Sequence, residues 1–339
     1  MSSTPLVSVL MPAFNAGPYI SEAIQSILNQ SCPDFELLVL DDGSQDNTQE
    51  IVLSYSDKRI RYLPNGKNLK LVATLNKGLD LAQGQFIARM DADDISLPQR
   101  FEKQIQFLHE NPDVGCVGTG FRTLGLPQDY DVLYDHRPGM VQAQLLFDCK
   151  IAHATVMMRR SILDIYPIRY NPRYIHVEDF DFFHRLSLIT RLCSIPEVLY
   201  LRRHHDSQVC YTERNHQVKI ERILREKIFF SLFPKAFARE EDFHSFERYF
   251  VQRDQPENEC EWAIALKQAE KIIFHPGITL YGAPYLNRML ARRCWDMCTG
   301  MRFPSLNIVK AYIQKGFMKW FNPGPQNIIK LILRGILSK

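Results

Sequence analysis

The chain has 339 residues, 45% of them hydrophobic and 23% charged, which is an ordinary folded composition with enough apolar residues for a substantial core. Its net charge of +3 is too small to argue for nucleic acid, and its eight scattered cysteines form no Cys-x-x-Cys pair that would support zinc. No run of about 18 apolar residues is present to span a bilayer, and the first residues lack the basic start and long apolar stretch of a secretory leader, so a reducing cytoplasm is expected.

Val7 to Met11 reads as a first strand, closed by Pro12. Gly17-Pro18 leads into a helix from Ile20 to Asn29, with Ile20, Ala23, Ile24, Ile27 and Leu28 on one face. Phe35 to Leu40 is a second strand. Thr48 to Tyr55 is a short helix opened by the polar turn from Ser44, and Arg59 to Leu63 alternates as a strand does. Leu71 to Ala82 has Leu71, Leu75, Leu79 and Ala82 in helical phase. A strand over Gln85 to Ala88 follows, then a helix from Pro98 to Glu110 with proline in its first turn, then a strand over Val114 to Gly118. This alternation predicts an α/β fold with a mainly parallel sheet covered by helices.

The middle third is less regular. His153 to Met158 and Val198 to Arg202 are strand candidates, and Glu178-Asp179 opens a helix through Phe180, Phe183 and Leu186. After about residue 212 the pattern is helical, over Val218 to Leu232, Phe243 to Phe250 and Trp262 to Ile273. Cys294 and Cys298, at i,i+4, read as core. The stretch 304–339 carries Lys310, Lys315, Lys319, Lys330, Arg334 and Lys339 and no acid, while Leu306, Val309, Ile313, Phe317 and Trp320 recur at helical spacing. It reads either as a core-packing helix with a solvated basic side or as a surface helix on anionic lipid.

Two carboxylate clusters about fifty residues apart stand out, Asp41-Asp42-Gly43-Ser44 and Asp91-Ala92-Asp93-Asp94. Each directly follows an apolar run. The carboxyl ends of parallel strands open into the crevice where such sheets bind ligands, so both loops are expected to converge there. Asp91-x-Asp93 is either a hydrated turn or a pair of hard oxygen donors suited to Mg²⁺ or Mn²⁺. The second reading implies a leaving diphosphate whose charge the cation offsets, and hence a nucleotide-linked substrate. Asp42 sits in a plain turn or accepts hydrogen bonds from a base or ribose. No G-x-G-x-x-G follows the first strand and no G-x-x-x-x-G-K-[ST] occurs, which disfavours a dinucleotide fold and a P-loop. Glu178-Asp179 is either a favourable acidic helix start or a general base. His153 is a hydrogen-bonded structural histidine or a group on the acceptor side. His204 and His205, next to Asp206, are surface groups or complete a metal site.

Taken in order, these pieces resemble the family-2 inverting glycosyltransferases of the GT-A fold. The likeness rests on Val7-Ser8-Val9-Leu10-Met11-Pro12-Ala13-Phe14-Asn15, Ser26 to Ser31, Phe35 to Ser44, Asn76-Lys77-Gly78, Gly84 to Asp94 with Pro98 and Arg100, His153-Ala154-Thr155 and Glu178-Asp179. It is strong over about residues 5–120 and looser to about 210. The resemblance implies a GT-A domain over 1–212, with a nucleotide-sugar-binding half to 120 and an acceptor half from 121, followed by a helical C-terminal region over 213–339.

By the same resemblance Pro12, Phe14 and Asn15 line the nucleotide pocket and Asp42 accepts from the base. Asp91 and Ala92 lie near the ribose and metal, Asp93 is the main metal ligand, and Asp179 is the catalytic base supported by Glu178. His204 matches a histidine near the metal or diphosphate, with His205 the ambiguous neighbour, and His153 falls on the acceptor side. Many relatives carry Ala-Arg-Asn where this chain has Thr74-Leu75-Asn76, so Lys67 or Lys70 is expected to replace a phosphate-contacting arginine. The implied cofactor is Mn²⁺ or Mg²⁺. The implied donor is UDP-, dTDP- or GDP-linked. The acceptor would be a glycan or lipid-linked glycan in surface polysaccharide or glycolipid assembly, which would bring the enzyme to the inner face of the membrane through 304–339. Two other readings are open: a sugar-nucleotide nucleotidyltransferase, which Pro12 to Gly17 disfavours for want of a glycine- and arginine-rich loop, and a non-catalytic glycan-binding relative.

Overall fold

Strand β1 (Val7–Ala13) lies between β2 (Phe35–Asp41) and β4 (Phe86–Arg89), parallel to both, and β3 (Ile60–Pro64) extends the sheet beyond β2, again parallel. Almost every side chain of β1, β2 and β4 is buried, which is why they read as unbroken apolar runs. This computed structural model describes residues 4–134, 136, 139–205, 214–234, 237, 240–275, 283–300, 306–324, 326–328 and 330. Helices α1 (Ile20–Leu28), α2 (Thr48–Leu53) and α3 (Leu71–Leu81) connect the first four strands. The order β3-β2-β1-β4 puts a topological switch beside β1, so the crevice opens at the carboxyl ends of β1, β2 and β4.

Past β4 the order continues with β8 (Met157–Arg159), β6 (Val114–Leu124), β9 (Arg191–Arg203) and β5 (Ile95–Ser96), and β7 (Asp131–Val132) pairs with β6. The long β6–β9 ladder is parallel, and the antiparallel ladders are only two or three residue pairs long. The sheet is therefore mainly parallel, as expected. Helix α4 (Arg100–Glu110) turns Arg100, Phe101, Gln104 and Leu108 inward. Close approach of chain segments explains Gly84: a Cβ there would stand 2.5 Å from the Ser8 backbone nitrogen.

Some segments differ from expectation. His153 to Met158 is not one strand; His153–Thr155 is a 3-10 turn and only Met157–Arg159 pairs, wedged between β4 and β6. The last strand begins at Arg191 rather than near Val198. Phe243 to Phe250 is a helix, Glu240–Phe246, that widens into a π turn, Glu247–Val251. A helix over Ala283–Gly300 was not expected.

The chain divides into two compact units, residues 1–141 with 149–221 and residues 142–148 with 222–339. The second is helical. Phe147, Phe229, Phe237, Phe243, Phe246 and Phe250 stack and tilt against one another in its core. Glu247, buried, accepts from Arg225 Nη1 at 3.0 Å and faces Arg222 Nε at 2.8 Å. Cys294 and Cys298 are both buried. In the tail, the helix Leu306–Gln314 stops before Gly316 (φ +75°), and Val309, Tyr312 and Phe317 are buried in this unit. Of the expected apolar stripe, Val309 and Phe317 are buried and Ile313 is exposed. Arg334 and Lys339 lie outside the described residues, as do Asp206 and Ser207. Among the described residues no helix is long and apolar enough to cross a membrane.

Candidate active site

The loops after β1 and β2 are stitched together at the mouth of the crevice. Asp42 N–H donates to the Ala13 carbonyl at 2.8 Å, Asn15 N–H to Ser44 Oγ at 2.9 Å, and Gln45 N–H returns to Asn15 Oδ1 at 2.9 Å. Asn15 reaches this position with φ +49°, which asparagine tolerates better than most residues. Pro12 is half-buried beside them and the Phe14 ring is open to solvent.

Asp41 and Asp42 are both buried and both hydrogen-bonded. Asp41 accepts from Ser44 N–H at 2.8 Å and from the Tyr62 hydroxyl at 2.6 Å; burial and that bond raise the Tyr62 pKa. Asp42 Oδ1 accepts from Asn65 Nδ2, Leu69 N–H and Thr74 Oγ1, and Oδ2 accepts from Lys70 N–H, all within 2.9 Å. Asp42 is thus the anchor of the 65–74 loop. Lys70 closes that loop with φ +73° and ψ 159°, a region that only glycine occupies without strain, and its side chain is exposed. Thr74, at the first position of the Thr74-Leu75-Asn76 departure, is spent on Asp42 and Asn65.

The second loop gathers three carboxylates. Oxygens of Asp91, Asp93 and Asp94 all lie within 4.8 Å of one another. Asp91 is ion-paired with Arg89 and its N–H points at Tyr200 Oη, 3.2 Å away. Ala92 is buried. Asp94, also buried, accepts from Arg203 N–H at 2.8 Å; burial and its two acidic neighbours hold its pKa well above the usual carboxylate range. Asp93 and Asp91 keep side chains partly open.

His205, rather than the expected His204, comes to this loop. His205 Nε2 is 2.9 Å from Asp93 Oδ2. His204 N–H instead continues the ladder of β9 onto the Leu124 carbonyl at 2.9 Å. Successive side chains of an extended chain point to opposite sides, so one residue decides which histidine meets Asp93. Burial and Arg202 lower the His204 pKa.

Glu178 and Asp179 open the helix Glu178–Ser187. Asp179 Oδ1 accepts the Phe180 N–H at 2.8 Å. Burial and the adjacent Glu178 push the Asp179 pKa up to about 7, and burial raises Glu178 as well. His153 Nε2 meets the Tyr170 hydroxyl at 2.8 Å, and burial with the nearby Arg89 charge lowers its pKa well below normal. Asn76 clamps Tyr170 from α3, donating to its carbonyl at 2.9 Å and accepting its N–H at 2.8 Å. Four residues not singled out from sequence touch the candidate residues: Arg89 pairs with Asp91, Tyr170 with His153, Tyr200 with the Asp91 N–H, and Arg203 Nε donates to the Asp93 carbonyl at 2.9 Å. Arg89 carried a signal, being a charge at the end of an otherwise apolar strand. Tyr170 and Tyr200 carried none.

The model of glycosyl transferase family 2 matches residues 8–165. A Haemophilus influenzae protein named an uncharacterized glycosyltransferase is 32% identical over 247 residues, covering 68% of this chain and 76% of that protein. The chain belongs to glycosyl transferase family 2. The chain is also similar to the Escherichia coli UDP-Glc:alpha-D-GlcNAc-diphosphoundecaprenol beta-1,3-glucosyltransferase WfgD, 32% identical over 183 residues, covering 52% of this chain and 67% of WfgD. In fold, this family-2 chain is similar to residues 1–349 of Staphylococcus aureus TarS, crystallised with UDP-GlcNAc, with a TM-score of 0.54, at 16% identity and over 98% of this chain and 88% of that one. The fold is GT-A, as the sequence implied.

Proposed function

We propose that this family-2 enzyme is an inverting glycosyltransferase that moves a sugar from a nucleoside-diphosphate donor to an acceptor hydroxyl. The observation that carries the reading is a carboxyl poised near neutrality, Asp179, in the same unit as three clustered carboxylates on the loop after β4. A base with a pKa near the working pH combines enough deprotonated form with enough driving force for proton transfer.

Asp179 takes the acceptor hydroxyl proton as the oxygen attacks the anomeric carbon, and Glu178 beside it keeps the pair's proton affinity high. Pro12, Phe14 and Asn15 hold the nucleotide, with the Asp42-anchored loop and the Lys70 ammonium nearby. His153, kept neutral, borders the acceptor side with Tyr170. Mn²⁺ or Mg²⁺ fits the donor set, because Asp91, Asp93 and Asp94 offer hard oxygens within reach of one centre. When bound, such a cation draws charge from the departing diphosphate. Asp93 and Asp91 would hold it, with His205 at the edge.

WfgD is named for a UDP-linked donor and a diphosphoundecaprenol acceptor, which supports UDP as the first donor to try and a lipid-linked glycan in surface polysaccharide assembly as the acceptor class. Such an acceptor would bring the enzyme to the inner face of the membrane. A panel of UDP-, dTDP- and GDP-sugars incubated with Mn²⁺ tests the proposal. Release of nucleoside diphosphate and a product of inverted anomeric configuration are expected. Pyrophosphate release, retention of configuration, or full transfer by Asp179→Asn would overturn it.

A further inference from the structure

In the helical unit, large apolar side chains stand exposed on one helical face. On the helix Glu259–Ile273, Ile264 is 48% exposed, and Phe274, the residue after its last turn, is 61% exposed. The exposed Lys267 lies between them at helical spacing, while Trp262, Ala265, Ala269 and Ile272 on the opposite side are buried. The helix Leu306–Gln314 adds a second outward face. It turns Val309 and Tyr312 inward and leaves Lys310 and Ile313 outward, Ile313 being 47% exposed. Lys315, just past its end, is ion-paired with Glu270, which ties the end of one face to the end of the other. The tail is held down as well, since Tyr312 Oη lies 3.1 Å from the Ala291 carbonyl and 3.0 Å from the Phe321 carbonyl. Only the residues left outside by this packing can meet a partner.

The charge of this region has one sign. From Lys267 to Lys319 the sequence carries nine basic residues and two acidic ones, in a chain whose whole net charge is +3. The remainder of the chain is therefore net acidic. Both acids are matched already, Glu270 by Lys315 and Asp296 by Arg292 Nε at 3.9 Å. Lys267, Lys310 and Lys319 are exposed, and Lys319 Nζ lies 5.1 Å from the centre of the Trp320 ring. A second copy of the same face would set lysine against lysine, so the charge disfavours self-association and favours an anionic partner. Exposed Phe and Ile among the lysines favour a partner with an apolar interior beneath its charge. A bilayer with anionic headgroups has both.

We propose that this face is a contact surface for an anionic membrane: Ile264, Phe274 and Ile313 enter the boundary between headgroups and acyl chains, while Lys267, Lys310 and Lys319 meet lipid phosphates. The inference deepens the reading of a lipid-linked acceptor and rests on it for its purpose. It differs from the expected amphipathic tail, because two of the three apolar anchors come from the helix Glu259–Ile273 and its cap, and the buried members of the tail stripe take no part. A lysine near such a surface strengthens binding by roughly fivefold, and the apolar anchors add to that, so the attachment is reversible and weakened by salt.

The test is co-sedimentation of the full chain with vesicles of phosphatidylcholine, alone or mixed with phosphatidylglycerol. Binding to the mixed vesicles is expected, with loss at high salt and little binding to phosphatidylcholine alone. Phe274→Ser should weaken it by about tenfold. Lys267→Gln combined with Lys310→Gln should weaken it by roughly 20-fold. All three side chains are exposed, so both variants should fold, which circular dichroism checks. Lys58→Gln, at an exposed lysine of the other unit, should bind as the native chain does. No binding of the native chain to mixed vesicles overturns the proposal, as does native binding by both Phe274→Ser and the double lysine variant. A dimer in sedimentation equilibrium that Phe274→Ser dissolves would give the face to a second copy and also overturn it. The assay contains no donor sugar, so its outcome is separate from glycosyl transfer, which the nucleotide-sugar panel decides.

Discussion

His205 Nε2 stands 2.9 Å from Asp93 Oδ2, and the same imidazole stacks on Tyr19 with ring centroids 4.8 Å apart. Arg203 lies over the other partner of this contact, 5.2 Å from the Tyr19 ring, and is ion-paired with Glu22 of α1. The end of β9, the start of α1 and the carboxylate loop are thereby pinned to one another. Partners that orient a metal-binding carboxylate commonly contribute about 10- to 100-fold in affinity. His205→Ala should weaken Mn²⁺-dependent UDP binding by about tenfold or more, and His204→Ala should change it little. Calorimetry with UDP and Mn²⁺ checks this. A larger loss in His204→Ala would move the role to that residue.

Asp179 gives a signed pH dependence. Its carboxyl is held up to about 7 by burial and Glu178, so kcat/KM should fall as pH drops through about 7, and Asp179→Asn should lose about 10²- to 10⁴-fold in transfer with donor binding retained. Stability runs the opposite way. The folded protein binds this proton more tightly than the unfolded chain, so the contribution is fully present below the unfolded pKa near 4 and is lost as pH rises through about 7. Asp179→Asn should therefore raise Tm relative to the native chain at pH 8, with the gap closing toward pH 5. A native pH–rate profile in Asp179→Asn would remove the base from this position.

Much of this site is legible because β1, β2 and β4 are buried on both faces and the chain after β2 and β4 carries carboxylates; apolar runs of that kind announce both the strand and the loop that follows. The helices α1, α3 and α4 were legible by period. β9 was not, because Pro196 interrupts it. The pairing runs Thr119 to Ile195 and then Gly120 to Val198, so Pro196 and Glu197 occupy a bulge where the missing N–H does no harm. The turn His153–Thr155 was misread because its short alternating segment fits a strand. Thr155 N–H and Oγ1 both close the turn onto the Ala152 carbonyl, at 3.0 and 2.9 Å, and a non-local contact adds to them: Gln104 Nε2, from α4, donates to the Thr155 carbonyl at 2.8 Å. Which histidine meets Asp93 depended on where β9 ends, and that is set by its pairing with β6 rather than by any local pattern.

Asp42 carries four internal hydrogen bonds in a buried position, so its removal leaves Leu69 N–H and Thr74 Oγ1 without their acceptor, while Asn65 Nδ2 keeps Thr74 Oγ1 and Lys70 N–H keeps Asn68 Oδ1. Each buried donor left unsatisfied costs about 1–3 kcal/mol, less where water enters. Asp42→Ala should lower stability by roughly 2–4 kcal/mol in urea unfolding and loosen the 65–74 loop, so that UDP binding falls with it. A stability within about 0.5 kcal/mol of native would mean that the loop closes without this anchor.

Lys70 combines a strained backbone with an exposed side chain next to the loop after β2, and the two can be separated. A non-glycine residue at φ +73° and ψ 159° stores about 1–3 kcal/mol, while glycine loses about 0.5–1 kcal/mol more chain entropy on folding. Lys70→Gly keeps the N–H bonded to Asp42 and should stabilise the chain by roughly 1 kcal/mol. Lys70→Ala removes the same charge and keeps the strain, so it should bring no such gain. If the ammonium meets the donor's diphosphate, both variants should weaken UDP binding equally and leave uridine binding unchanged. Thermal unfolding and calorimetry on the two variants read the backbone and the charge independently. Native UDP affinity in both would take Lys70 out of the diphosphate site, and a less stable Lys70→Gly would show that the loop's backbone carries no strain there.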